Sequence, residues 1–161
     1  PYYKSLPSEG DMTRAEKVIS ALGYAGLTPF VAACGLLYAG EEARASQLFL
    51  SYSAIILSFL GGTHWGRLLS SGKTLELGAG LFALVASNVF ALLAWSALLL
   101  SHGNILYPFI ILTTGFVLLF LVEAASMPTI DHAVHRRYSA FRAFLTIAVL
   151  LLHGVFLLLS D

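Results

Sequence analysis

Five runs of apolar residues, each close to the length that a helix needs to cross a lipid bilayer, dominate this sequence. They cover residues 18–39, 45–69, 75–100, 105–122 and 143–159. About 20 apolar residues in a helix span the hydrocarbon core of a bilayer. The chain is also 58% hydrophobic, which leaves too few polar side chains to cover a surface in contact with water. The sequence therefore predicts an integral membrane protein.

The pattern within these runs favours helices over strands. A membrane barrel needs segments that alternate apolar and polar residues, and runs such as 117–121, with the sequence VLLFL, do not alternate. Most connections between the runs are short, which makes consecutive helices antiparallel neighbours. The predicted fold is an all-α integral membrane protein with five transmembrane helices in an antiparallel bundle. A polar tail, residues 1–14, precedes a single transmembrane domain, residues 15–161.

The distribution of basic residues predicts the orientation of the bundle. With five spans, one face carries eight lysines and arginines: Lys4, Arg14, Lys17, Arg67, Lys73, Arg136, Arg137 and Arg142. The opposite face carries only Arg44. Short loops rich in lysine and arginine stay on the cytoplasmic side, or on the equivalent matrix side in mitochondria. We therefore expect the N-terminus inside and the C-terminus outside.

Composition and motifs argue against several functional classes. Nine basic and nine acidic residues balance, and the basic residues form no groove-like cluster, so we expect no nucleic-acid partner. The sequence has no HExxH or CxxC motif, no phosphate-binding loop and no dinucleotide fingerprint. Cys34 is the single cysteine and cannot form an internal disulfide. We expect no metal, no cofactor and no enzymatic activity.

One group of candidate site residues lies near the predicted inner end of the bundle. Its members can form ion pairs or hydrogen bonds: His64, Arg67, Glu123, Tyr138 and Arg142. An ionisable residue such as His64 inside a membrane span is costly and often functional, so the group is a candidate ligand or proton-binding site. The alternative is structural. The arginines would reach lipid phosphates, and Glu123 would neutralise one of them.

Two further sets of residues are candidates for helix packing. Small residues in the second span would let another helix approach closely: Ser58, Gly61, Gly62 and Gly66. Counting the rise along each helix predicts a polar layer near the middle of the bilayer: Thr28, Asn88, Thr113 and His153. This layer is either a substrate-binding level or a set of hydrogen bonds that tie the helices together.

The sequence YSAIILSFLGGTHWG at residues 52–66 resembles the transmembrane-protein-69-like family, a bacterial and mitochondrial group of unknown function. Residues 22–30, with the sequence LGYAGLTPF, look like the first span of that family. The resemblance implies an integral protein of the bacterial plasma membrane or of the mitochondrial inner membrane, and it supplies no reaction.

These observations lead to three functional hypotheses. The first is a non-enzymatic accessory or assembly partner of a larger inner-membrane complex, because short loops leave little room for a soluble active site. The alternative is a small proton-coupled carrier or channel that uses His64 and Glu123. A lipid or quinone binder is a weaker alternative. Expected partners are membrane lipids and either other membrane subunits or further copies of the chain.

Overall fold

The computed structural model describes residues 9–70, 79–125 and 133–160, and every regular element in these ranges is an α-helix. The helices are α1 Glu9–Ala25, α2 Thr28–Tyr38, α3 Glu42–Ser70, α4 Ala79–Leu100, α5 Leu106–Ala125 and α6 Ala133–Ser160. The all-helical fold class is confirmed.

Four helical segments of the described chain are long and apolar enough to cross a membrane. They are Lys17–Tyr38, Glu42–Thr63, Leu106–Ala124 and Ala140–Ser160. The predicted third span, 75–100, corresponds to α4, whose described apolar stretch Leu84–Leu100 is shorter than the other four. Residues 75–78, at the start of this span, lie outside the described ranges.

The predicted first span, 18–39, is two helices rather than one. The chain leaves helical geometry at Gly26 and Leu27, and Pro29 lies in the first turn of α2. Proline lacks the N–H that would continue the hydrogen-bond ladder, and it disfavours helical geometry in the residue before it. The Tyr52 hydroxyl donates a hydrogen bond to the Gly26 carbonyl at 3.0 Å. A side chain of α3 therefore satisfies a backbone acceptor at the break, where lipid could not.

Helix α3 lies at the centre of the bundle. It packs against α2, α4 and α5, and α6 packs against α2 and α5. Contacts at both ends show that α3 runs antiparallel to α4 and that α5 runs antiparallel to α6. We call the end that contains the connections 39–41 and 101–105 the Gly40 end, and the end where α5 stops the Glu123 end.

The connection between α2 and α3 depends on Gly40, which has a positive φ of 82°. The Gly40 N–H donates to the Leu37 carbonyl, and the Glu41 N–H donates to the Leu36 carbonyl, both at 3.0 Å. This pair of bonds is a Schellman motif, which closes a helix C-terminus through a left-handed residue. Glycine suits the position because a Cβ makes left-handed geometry unfavourable.

Phenylalanine rings fill the interior on the Gly40 side of the bundle. Among the described residues, five phenylalanine rings from four different helices are fully buried: Phe30, Phe49, Phe109, Phe116 and Phe156. Phe49 stacks on Phe109 with ring centroids 5.1 Å apart, and Phe109 stacks on Phe156 at 5.2 Å. Offset aromatic stacks at these separations add to the stabilisation that comes from burial. The rings thus connect α3, α5 and α6 in one core.

Candidate functional site

The centre of the aromatic core contains a histidine. His153 on α6 is 1% exposed. Its ring lies 4.8 Å from the Phe49 ring, 5.6 Å from Phe116, 5.7 Å from Phe109 and 6.0 Å from Phe30, measured between centroids. Three of these contacts are edge-to-face, an arrangement in which the positive ring edge meets a negative ring face. The imidazole is therefore packed as an aromatic core residue.

Both nitrogens of the His153 ring have partners inside the bundle. Nδ1 lies 2.9 Å from the Val149 carbonyl oxygen, and Nε2 lies 3.4 Å from the Ser53 hydroxyl. A carbonyl oxygen only accepts, so we assign the proton of the neutral ring to Nδ1. Nε2 is then an acceptor, and the Ser53 hydroxyl donates to it across a long bond. The hydrogen bonds hold the ring between α3 and α6.

Sequence reasoning missed Ser53, which is fully buried beside the histidine. Ser53 lies four residues after Phe49 and four before Leu57, and all three are buried. Residues four apart lie on the same face of a helix. This spacing is the sequence signal that could have identified Ser53, once the inward face of α3 was known.

A second polar contact joins α5 to α6 at the Glu123 end. Arg142 Nε lies 3.1 Å from Glu123 Oε1, and the two side chains are 11% and 6% exposed. Glu123 is in the last turns of α5, and Arg142 lies where the apolar part of α6 begins. Of the five residues predicted at this end, the structure therefore brings these two together as a nearly buried ion pair.

The other predicted members of this group cannot be located in the same detail. His64 and Arg67 belong to α3, and Tyr138 belongs to α6. The side chains of these three residues lie outside the described part of the structure, as does that of Gly66. A site formed by all five groups stays a prediction.

The packing surface of α3 differs from the stripe suggested by spacing. Gly61 is buried, and a Cβ added there would lie 2.9 Å from Phe90 Cβ on α4. Gly62 is exposed, and no described atom lies within 4 Å of a Cβ added there. Ser58 is half-buried. Within this chain, close approach to α4 therefore occurs at Gly61, and the predicted packing role of Gly62 is not seen.

The predicted polar layer is not a single cluster. His153 is central and Thr113 is half-buried, whereas Thr28 and Asn88 are exposed. Asn88 does not tie α4 to another described helix, because its Nδ2 donates to the Leu84 carbonyl of its own helix at 2.9 Å. The reason is geometric. Rise along a helix gives depth, but the direction of a side chain depends on which face packs inward.

A cavity of about 550 Å³ opens between the start of α3 and the end of α4. Its polar lining consists of Ser46, Gln47, Ser51, Ser101 and His102. It lies at the Gly40 end, which is the opposite end of the bundle from the ion pair of Glu123 and Arg142. Ser51 and Ser101 already donate to backbone carbonyls of their own helices. Two of the five polar side chains that line the cavity therefore already have hydrogen-bond partners within the chain.

These features define a class: an all-helical membrane protein with an aromatic core and a nearly buried ion pair at one end. The chain belongs to the family described as "Protein of unknown function (DUF3429)", whose model matches residues 15–158. It is 36% identical over 138 residues to Transmembrane protein 69 of Xenopus tropicalis. The match covers 83% of this chain and 51% of that protein. The chain thus spans about half the length of this curated relative.

The sequence resemblance to the transmembrane-protein-69-like family is confirmed by both comparisons. No solved structure matches the chain.

Proposed function

We propose that this protein is a non-enzymatic, multi-pass accessory subunit or assembly partner of a larger membrane complex. Its proposed location is the inner membrane, meaning the bacterial plasma membrane or the mitochondrial inner membrane. The observation that carries the proposal is the packed aromatic core. A helix bundle whose centre is filled by its own side chains is suited to contacts made at its outer surface.

The core argues against a transport path through the middle of the described bundle. A carrier needs a binding level that a substrate can reach from each side in turn. Here phenylalanine rings occupy the level of the bundle that contains His153. Each of these rings is at most 1% exposed: Phe30, Phe49, Phe109 and Phe116. Both histidine nitrogens have partners within the chain. This arrangement supports a structural role for the polar residues of the core.

The short connections support the same proposal. Residues 39–41 join α2 to α3, and residues 101–105 join α4 to α5. Neither connection provides enough chain for a soluble active site. The helices of the bundle expose large apolar side chains on their outer faces. Leu92 on α4 is 61% exposed, and Leu151 on α6 is 66% exposed. Such surfaces face either lipid or the helices of another subunit.

The orientation in the membrane is part of the proposal, with the N-terminus inside. It rests on the excess of lysine and arginine on one face of the five-span topology that the sequence predicts. The variants Arg44→Cys and Lys73→Cys, each made with Cys34→Ser, test it by labelling with an impermeant thiol reagent in intact cells. We expect labelling at position 44 and protection at position 73. Labelling at both positions contradicts the five-span orientation.

Affinity purification from native expression levels in a mild detergent tests the accessory role. We expect a partner subunit in stoichiometric amount, because an assembly partner has a defined complex to join. A matched sample from cells that express the tag alone identifies proteins that bind to the tag or to the resin. Native mass spectrometry then identifies the bound species. Recovery of the chain with no stoichiometric protein contradicts the proposal.

A proton-coupled carrier or channel is the second candidate, and the nearly complete burial of Glu123 favours it. Glu123 is 5% exposed, and ionisable groups within membrane segments often mark ion pathways. This function requires His64→Ala and Glu123→Gln to abolish a pH-dependent flux in proteoliposomes. Glu41→Gln is the control, since its carboxylate is exposed at the Gly40 end. An unchanged flux in both test variants removes this candidate.

A further inference from the structure

The outward face of α4 has the spacing of a helix-pairing seam. Its exposed residues recur at intervals of four and three: Leu81, Val85, Asn88, Leu92, Trp95 and Leu99. The inward face of the same helix is formed by Ser87, Phe90, Ala94 and Ala97, which are buried. Alternating steps of three and four place residues along one line of a helix that can interlock with the same line on a second helix.

Asn88 carries the one side-chain amide on this seam. It lies nine residues from Ala79 and twelve from Leu100, or about 13 Å and 18 Å along the helix axis. In a membrane this depth is within the hydrocarbon, where water is scarce. The seam contains no charged residue, and none occurs anywhere in α4. A partner chosen by charge therefore has nothing to recognise on this face.

The Asn88 amide has unused hydrogen-bonding capacity. One N–H donates to the Leu84 carbonyl, and the described residues offer no second bond. An asparagine side chain has two N–H donors and an acceptor oxygen. Lipid tails cannot bond to the remaining N–H or to Oδ1. A group that can do so from the adjacent helix therefore stabilises the amide in the membrane.

We infer that two copies of this chain pair along α4, with Asn88 of one copy facing Asn88 of the other. An amide is its own complement, because the donor of each copy meets the acceptor of the other across a two-fold axis. Homodimers with such an axis use the same surface on both subunits. This inference goes beyond the proposed function and names a partner for one surface of the bundle.

Cysteine cross-linking in proteoliposomes tests the pairing. The full chain with Cys34→Ser receives either Leu92→Cys on the seam or Leu151→Cys on α6. The two positions are closely matched in exposure, because Leu92 is 61% exposed and Leu151 is 66% exposed. They are also matched in depth. Leu92 lies eight residues before the end of α4, and Leu151 lies nine residues before the end of α6. We expect oxidation to give a dimer at position 92 and none at position 151. Equal cross-linking at both positions, or none at either, overturns the inference.

Removal of the amide tests the role of Asn88 itself. The variant Asn88→Leu is expected to weaken the dimer, measured by energy transfer over a range of protein-to-lipid ratios, by about 3- to 20-fold for each hydrogen bond lost. Asn88→Gln keeps an amide and should lose less. Thr114→Val removes a different exposed polar group, on α5, and should leave the dimer unchanged. An Asn88→Leu dimer as tight as the parent overturns the inference.

The same experiments separate failure of this inference from failure of the proposed function. A chain that is monomeric in lipid but is recovered with a stoichiometric partner subunit overturns the pairing and leaves the accessory role standing. A chain that pairs at position 92 but is recovered with no other protein supports the pairing and contradicts the accessory role. A different protein cross-linked at position 92 overturns the pairing of like copies.

Discussion

Replacement of Arg142 by methionine is expected to destabilise the bundle strongly. Methionine keeps much of the length of the arginine stem but carries no charge. Glu123 would then keep its carboxylate at a site where the side chain is only 6% exposed, without the guanidinium 3.1 Å away. Removing one member of a nearly buried ion pair takes away an opposite charge that stabilises the other member in a poorly hydrated place.

The expected loss in the free energy of unfolding is about 3 to 5 kcal/mol. This corresponds to an increase of about 150- to 5,000-fold in the unfolded-to-folded ratio. Glu123→Gln should cost less, about 1 to 3 kcal/mol, because the longer arginine side chain can turn its charge towards the membrane surface. The double variant should be more stable than Arg142→Met alone, since neither charge then remains buried.

Unfolding by a denaturing detergent in mixed micelles measures these four proteins, the parent included, as a double-mutant cycle. A loss below about 1 kcal/mol, or single effects that simply add, would refute the conclusion that the pair acts as a unit.

Three further predictions use the same unfolding assay. Gly40→Ala should lower the free energy of unfolding by about 1 to 2 kcal/mol, because φ is 82° at this residue. Gly35→Ala is the control and should cost nothing, because a Cβ at this position of α2 meets no other described atom within 4 Å. Equal effects of the two substitutions would contradict the role of the turn. Gly115→Ala places a Cβ 2.5 Å from Leu57 Cδ2 and should cost about 1 to 3 kcal/mol. Adding Leu57→Ala should relieve part of that cost, and strict additivity would disprove the steric explanation. Ser53→Ala should cost only about 0.6 kcal/mol, because its bond to the histidine ring is long, 3.4 Å; a loss above about 2 kcal/mol would show a stronger bond than the distance indicates.

The sequence predicted some contacts of the site and not others. The proximity of Glu123 and Arg142 follows from helix ends, because an acidic residue that closes one helix and a basic residue that opens the next lie at the same end of an antiparallel pair. The surroundings of His153 could not be predicted in this way. Its partner Ser53 lies 100 residues earlier in the chain, and the contact depends on which faces of α3 and α6 meet.

Glycine and asparagine positions show the same limit. Gly61 and Gly62 are adjacent in sequence, yet only Gly61 packs against Phe90. Asn88 was expected in a polar layer that either binds a substrate or ties the helices together, and it lies exposed on the outer surface of α4. The depth of each of these residues in the membrane could be counted from its position along the helix. The direction in which its side chain points could not be predicted.

The sequence by itself determined that the chain is helical, where most of its apolar segments lie and which helix ends carry charge. These properties depend only on segment length and composition, because lipid requires backbone groups to bond within each segment. The tertiary structure alone decided which residues meet inside. In water an inward face is apolar and an outward face polar, so periodicity reveals direction. In lipid both faces are apolar, so the sequence carries little signal for direction, and packing shape selects the neighbours of His153 and Gly61.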